Sequence, residues 1–483
     1  MKNVSLLSQL NSFSPEDGVN IHEWDSNFPI FEHFSIIGPK NYHKDIKPTV
    51  LYCYPDDSYK NIFNMEKFAF VDGLKYRNIS LNDTVQIQTD FSSTPSIQDE
   101  LIFLSNYNNI TYYIYCIRFR ANPFTRPALD DSSLLSDIIF YRNIGTGPSC
   151  LFAMCFVSTH PFNSLIFDLL KFMMLLESSS RIESGNLFYL ASKDTPGSDP
   201  IGGTWPESSI MLREKFLSKL YDLSLPPMGE KLILSINSEE KIVWKMPHQC
   251  DIYSTITIWG CYPILNWIEL NDFLSLLFDL LLEKYIVVSA DSPNDVVRTV
   301  LFLTRILSPF SWVCPIMSVI PEELYDYIDT PMSSIIGICP KKPIELPENR
   351  VVIDLGQKLI KRTPNGYSDY SEIFGPLEEV LSPIWENREN GFPINLLNTI
   401  IRATYEFIEC TILKPLFSSV MTKLGPKGIE GTQFIKGIFI SHFSPKFVPF
   451  FEMIIETQLF TSMKEQVCRN KTMFSSDNEV EIQ

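Results

Sequence analysis

The sequence predicts a mixed fold in three successive blocks: α+β first, α/β in the middle, helices at the end. Three observations carry this. Short runs of β-branched and aromatic residues, bounded by turn residues, lead to one strongly apolar helix within about 30–180. Strand-like and helix-like segments alternate over about 251–355, which points to a mostly parallel sheet covered on both faces. Helical periodicity dominates from about 380 onward. The length, 483 residues, suggests three units at about 100–200 residues each. With 45% hydrophobic and 13% aromatic residues the chain can bury several cores and does not read as disordered.

In the first block, Phe34–Ile37 and Pro48–Tyr54 read as strands, the second closed by a turn at Pro55-Asp56-Asp57. Glu100–Ser105 and Thr111–Arg118 flank the Asn-rich Asn106–Asn109, as a hairpin would. Cys150–Ser158 is a further strand, and Pro161–Leu176 a helix opening on a proline. Ser192–Trp205 is the clearest linker; a helix with Leu212, Phe216, Leu217 and Leu220 follows and stops at Pro226-Pro227.

The middle block opens with Leu270–Glu283, apolar almost all round, with Asp272, Ser275, Asp279 and Glu283 as a narrow polar stripe. Phe273, Leu277 and Trp312 are core candidates. Tyr285–Ser289 is a short apolar strand. Ser292, Pro293 and Asp295 then stand where an N-cap, an N1 proline and an N3 acid belong, opening a helix to Leu307. Trp312–Val319, Ser334–Cys339 and Val351–Leu355 read as strands, and Pro321–Asp329 as a short helix. In the last block Leu396–Leu413, Gln433–His442 and Phe447–Gln466 read as helices, Lys423–Gly431 as a loop, and Ser475–Gln483 as a frayed end.

Charge and motif content exclude several function classes. Lys+Arg 40 against Asp+Glu 57 gives −17, the wrong sign for gripping nucleic acid or an anionic bilayer unaided. The densest basic stretch, Lys358–Arg362, reads as a solvated helix face. Cys150, Cys155 and His160 are loosely spaced like zinc ligands but lack a fourth partner, so buried thiols are the reading, with no metal. The Asn-x-Ser/Thr triplets at Asn78 and Asn109 need a secretory setting, and the N-terminus has no sustained apolar core of a signal peptide. No uncharged stretch is unbroken enough to span a membrane, and NEVEIQ is no prenylation box. The expectation is a cytoplasmic protein.

Gly145-Thr146-Gly147-Pro148-Ser149-Cys150 begins like a dinucleotide loop. Its third glycine is a cysteine, however, and Pro148 lacks an N–H that a phosphate would need, so it reads as a turn before a strand. Phosphate-loop, nucleophile-elbow, zincin and kinase motifs do not occur, and neither catalytic residues nor a cofactor are assigned. Glu283, at the end of an apolar helix, reads as a charge that pairs with an arginine or caps backbone N–H groups.

One ordered series of motifs remains: VLYCYPDD (Val50–Asp57), FAFVDG (Phe68–Gly73), YCIRFR (Tyr115–Arg120) and CFVSTHPFNSL (Cys155–Leu165), then FLSKLYDLSLPPMG (Phe216–Gly229). FLSLLFDLLLEKYIVVS (Phe273–Ser289), SPFSW (Ser308–Trp312), VIPEELYDY (Val319–Tyr327), PMSSIIG (Pro331–Gly337) and PFFEMIIETQLF (Pro449–Phe460) follow. This series resembles the tripartite DENN domain of Rab guanine-nucleotide exchange factors, from about Phe31 to Gln466, with Val71 and Ser308 standing where that pattern has Pro and Tyr.

The resemblance implies a tail (1–30), a longin-like uDENN module (31–180), a linker with connecting helix (181–250), a central α/β cDENN (251–355), a helical dDENN (356–474) and a tail (475–483). It implies promotion of GDP release from a Rab-type GTPase bound in a cleft between lobes. The chain would reach endomembranes transiently, through its partner or an adaptor. Because open α/β sheets bind ligands beyond the carboxyl ends of their strands, the GTPase-binding candidates are Asp291, Ser292, Asn294, Asp295 and Arg298. An ordinary helix-capping loop is the competing reading. If that loop lies on the cleft, charge reversal at Asp291 or Arg298 is expected to weaken exchange and leave melting nearly unchanged. The rival activities are folliculin-like GTPase activation through an arginine finger, with Arg118, Arg120 or Arg142 as its source, and a non-catalytic GTPase-binding scaffold.

Overall fold

The computed structural model describes residues 29–39, 47–55, 63–74, 76–80, 100–107, 110–121, 145–176, 207–235, 241–247, 252–342, 344–363, 366–388, 392–425 and 428–477. Residues 1–28 and 478–483 of the two tails, the turn at Asp56-Asp57, Asn109, Arg142 and the linker Ser192–Trp205 lie outside them, whereas 475–477, expected to be frayed, continue the last helix. By Cα proximity the chain divides into Trp24–His248 with Val319–Glu322, and Gln249–Ser318 with Glu323–Gln483.

The upstream unit is built on an antiparallel sheet. Its strands are β1 (His33–Pro39), β2 (Pro48–Tyr54), β3 (Tyr76–Ser80), β4 (Glu100–Tyr107), β5 (Ile110–Ala121) and β6 (Thr146–Ser158), in the order β2-β1-β6-β5-β4 with β3 also on β6. A short helix α1 (Met65–Ala69) precedes β3. Strand β6 starts at Thr146, so only Gly145 (φ 71°) turns, where the sequence suggested a turn up to Cys150. Pro148 lies inside β6, where it pairs with Asn78 of β3.

Helix α2 (163–176) packs on this sheet through a Phe167–Tyr115 edge contact (5.6 Å between ring centroids) and a Lys171–Glu100 ion pair (2.7 Å). Helix α3 (Glu207–Tyr221) follows, and Phe216 meets Phe172 of α2 at 4.8 Å. The segment then forms a hairpin, β7 (Lys231–Ser235) and β8 (Lys241–Lys245).

The downstream unit opens with α4 (Ile252–Leu265), α5 (Leu270–Leu281), β9 (Ile286–Ser289) and α6 (Pro293–Arg305). Strands β10 (Ile316–Ile320), β11 (Ile335–Ile338), β12 (Val351–Asp354) and β13 (Leu359–Lys361) complete a sheet of order β10-β11-β9-β12-β13. Strand β9 pairs in parallel with β11 and β12, and β13 returns antiparallel to β12. Two glycines set the packing. A Cβ at Gly337 in β11 would stand 2.2 Å from Ser318 O and 2.4 Å from Val296 Cγ1, and one at Gly260 in α4 would stand 2.4 Å from Arg298 O. Only a bare α-carbon allows those approaches.

Helices α7 (Gly375–Glu386), α8 (Ile394–Ile408), α9 (Lys414–Ser419), α10 (Lys436–Ser441), α11 (Val448–Ile455) and α12 (Gln458–Asp477) complete this unit. The ring of Phe278 in α5 stacks on Phe450 at 5.1 Å and meets Phe374 at 6.4 Å, and Phe273 meets Trp385 at 5.2 Å. The aromatic core of the central block is therefore closed by the terminal one.

Three further expectations change. The last block is not all helix: β14 (Val420–Gly425) and β15 (Gly428–Phe434) pair as a hairpin where a loop was expected, with Gly431 at φ 139° easing the bend. Trp312 is buried as expected, but the strand there begins only at Ile316, after Pro315. Lys358–Arg362 is no helix face. It is strand β13, entered through a turn in which Gln357 N donates to Asp354 Oδ1 (2.9 Å) and Lys358 takes φ 54°.

Candidate functional site

Strand β9 lies between β11 and β12, and the chain reaches those two neighbours in succession on its opposite sides. The carboxyl end of β9 is thus a switch point of the sheet, the kind of place where open α/β folds form a crevice. The loop from Ala290 to Ser292 leaves this end and enters α6.

Local chemistry explains most of the polar residues there. Ser292 takes extended backbone angles, and its Oγ accepts from Asp295 N at 3.4 Å, an N-cap followed by Pro293 in the first turn. Asn294 is buried, and its Oδ1 has no hydrogen-bond partner among the described residues. Arg298 is half-buried: its Nε donates to Trp259 O at 2.7 Å, and its guanidinium lies 5.1 Å from the centroid of the Trp259 ring. That arginine joins α6 to α4. The expectation that reversing its charge leaves melting unchanged is therefore corrected, because an acid there would lose a donor and a ring contact at the α4–α6 contact. Asp291 is exposed and Asp295 half-exposed, and these two are the candidates whose charges face outward.

Elsewhere, polar groups flagged by sequence are internally engaged. Arg118 donates to Asp72 Oδ1 at 2.7 Å, both side chains almost wholly buried, so it is no free finger; Arg120 donates to Ser149 O at 3.0 Å. Cys155 sits opposite Cys116 across the β5–β6 ladder, and this neighbour together with burial pushes its thiol well up. His160 is stacked on Phe162 at 5.3 Å, and burial pushes its imidazole down to about 4. Neither has the character of a metal ligand poised in a cluster, and no group of three or more His, Cys, Asp or Glu side chains suited to a metal forms among the described residues.

Glu283 takes the second of its two expected roles. It ends α5 in the left-handed region (φ 50°), and its two carboxylate oxygens accept from Gln458 N (2.8 Å) and Leu459 N (2.7 Å), the first turn of α12. Burial, with the same carboxylate beside it, pushes the Cys314 thiol up to about 11.

Sequence reasoning missed the partner of Asp279. Arg362 reaches that fully buried carboxylate at 3.1 Å and Asp272 at 2.8 Å. The signal was present as two acids seven residues apart on one face of an apolar helix, which demand a cation from elsewhere.

No helix among the described residues is long and apolar enough to cross a membrane. No curated protein matches the chain. Residues 150–358, from strand β6 through α2, α3, the β7–β8 hairpin and the central sheet to the turn before β13, match the family model described as the DENN (AEX-3) domain, which supports a DENN-domain protein.

Proposed function

We propose that this protein is a guanine-nucleotide exchange factor that promotes GDP release from a Rab-type small GTPase and thereby regulates vesicle traffic. The observation that carries the reading is the DENN match over 150–358, since DENN domains are generally associated with Rab exchange and Rab binding. On this reading 31–180 is the longin-like uDENN module, 181–250 the connection, 251–355 the cDENN and 356–474 the dDENN. Asp291 and Asp295 are the GTPase contacts of the β9–α6 loop, with Ser292, Asn294 and Arg298 holding it in shape. The protein works in the cytoplasm and visits endomembranes transiently.

Exchange breaks no covalent bond. The GTPase holds GDP through its phosphate loop and Mg²⁺. A protein that binds the nucleotide-free form better than the GDP form weakens GDP by the same factor. Moving a two-state equilibrium from 1:99 to 99:1 takes about 5.5 kcal/mol of differential binding, which an ordinary interface with a few hot spots provides. Such a site is a surface and needs no general base.

The test is release of fluorescent GDP from a panel of purified Rab proteins. Faster release from at least one, with its hydrolysis rate unchanged, is the expected result. Excess GDP then dissociates the complex, and chelation of Mg²⁺ strengthens it. A panel without faster release sinks the proposal; faster GTP hydrolysis that collapses on mutation of an upstream arginine replaces it with GTPase activation.

A further inference from the structure

The β7–β8 hairpin shows two faces of opposite character. Leu232, Leu234 and Trp244 are buried, and Trp244 fixes the hairpin to the start of α2 by donating from Nε1 to Ser164 Oγ at 3.1 Å and by meeting Phe162, just ahead of that helix, at 5.0 Å. Lys231, Ile233, Lys241, Val243 and Lys245 alternate with these and are exposed. Ile233 and Val243 stand directly opposite each other in register, each 58% exposed. Lys231 and Lys245 are the next such pair, and Lys241 stands opposite Ser235. The three lysines are exposed and make no ion pair among the described residues.

This arrangement is locally unfavourable. Two β-branched side chains give their apolar surface to water, and two like charges are paired across a ladder, where they repel. In sequence the hairpin reads as neutral, since Glu230, Glu239 and Glu240 match the lysines in number. Strand alternation sorts them: Glu230 precedes Lys231 and so belongs to the opposite parity, while the carboxylates of 239–240 fall in the connection, outside the described residues.

We infer that this outward face is a contact site for an anionic lipid surface. Charge complementarity requires an acidic occupant, and the exposed aliphatic pair requires one that also accepts hydrocarbon. Size then decides between a protein and a bilayer. A stable protein interface uses about 20–30 residues a side, whereas this face is one flat patch of five. A bilayer demands no shape complementarity, and a few lysines framing apolar side chains suit weak, reversible attachment. The net charge of −17 does not oppose this, because only charges within about 8 Å of the surface act at physiological salt. The inference is independent of nucleotide exchange, and it offers a direct route to membranes beside the expected one through a partner or adaptor.

Sedimentation of the full chain with vesicles, without any GTPase, tests it. Binding is expected with phosphatidylcholine vesicles containing phosphatidylserine, not with phosphatidylcholine alone, and should decline as salt rises. Replacing the lysines (K231Q/K241Q/K245Q) should lower partitioning about fivefold per lysine. I233S/V243S should lower it with lysines intact, and both variants should melt like the wild type. Wild-type binding by either variant overturns the inference, as does absence of phosphatidylserine-dependent binding. Retention of a soluble polyglutamate probe without vesicle binding would assign the face to an acidic protein and also overturn it.

Discussion

Two basic stretches of this chain, Lys358–Arg362 and the hairpin Lys231–Lys245, exchange roles between sequence and structure. The first is the densest basic run, yet its strongest cation, Arg362, turns inward, with its side chain 14% exposed between Asp279 and Asp272. The second has its lysines dispersed among apolar residues, and every one lies on the same outward face. Register and partners, not local density, decide which charges form a surface. A period of two along a strand gathers charges that the sequence separates, and a buried acid draws in a charge that the sequence advertises.

The comparison predicts unequal costs. Arg362→Ala should be the most damaging change, destabilising the downstream unit by about 3–5 kcal/mol in urea titration, because it leaves Asp279 buried without its cation. Asp272→Ala, at the half-exposed end of the same bridge, should cost no more than about 1 kcal/mol. Equal effects of the two would break the distinction between engaged and surface charge.

His160 extends the argument to pH. Its folded form is held neutral down to about 4 while the unfolded side chain titrates near 6.5, so the unfolded state binds more protons between those values. Stability should therefore be full above about pH 6.5 and fall by roughly 3 kcal/mol as pH drops to about 4. His160→Phe should remove that part of the acid sensitivity; an unchanged slope would mean that the imidazole charges freely in the folded protein.

The smallest contrast lies in the β9–α6 loop. Arg298→Glu should lower the melting temperature through its lost bond to Trp259 O, and Asp291→Lys should leave stability within about 0.5 kcal/mol of wild type. If Asp291 contacts the GTPase, GDP release slows in that variant all the same. A melting change in Asp291→Lys would show that this charge, too, is engaged within the fold.

Much of this architecture was legible because local chemistry and fold agree. Ser292-Pro293-x-Asp295 is a cap in any context, and the Asn-rich break between Glu100–Ser105 and Thr111–Arg118 admits little but a hairpin. What stayed hidden depends on distant partners. Leu232, Leu234 and Trp244 alternate with exposed residues over only five positions per strand, too short a run to stand out, and become informative once Trp244 is seen on Ser164. The β14–β15 hairpin looked like a loop because its glycines outweigh its strand formers. The candidate site was legible as a place, the end of β9. The engagement of Arg298 with Trp259 was not, since 39 residues separate them.

The Glu283 carboxylate carries a consequence for synthesis. Its two backbone donors lie 175 and 176 residues further along the chain. As the polypeptide emerges from the ribosome, α5 and its strand are made long before Gln458 exists; the Phe278 face waits for Phe374 and Phe450, and the carboxylate must remain hydrated until Gln458 follows them. The central block therefore completes its core late, by closing a loop far longer than those of its sheet, and nascent chains ending before α12 are the ones that need a chaperone's cover.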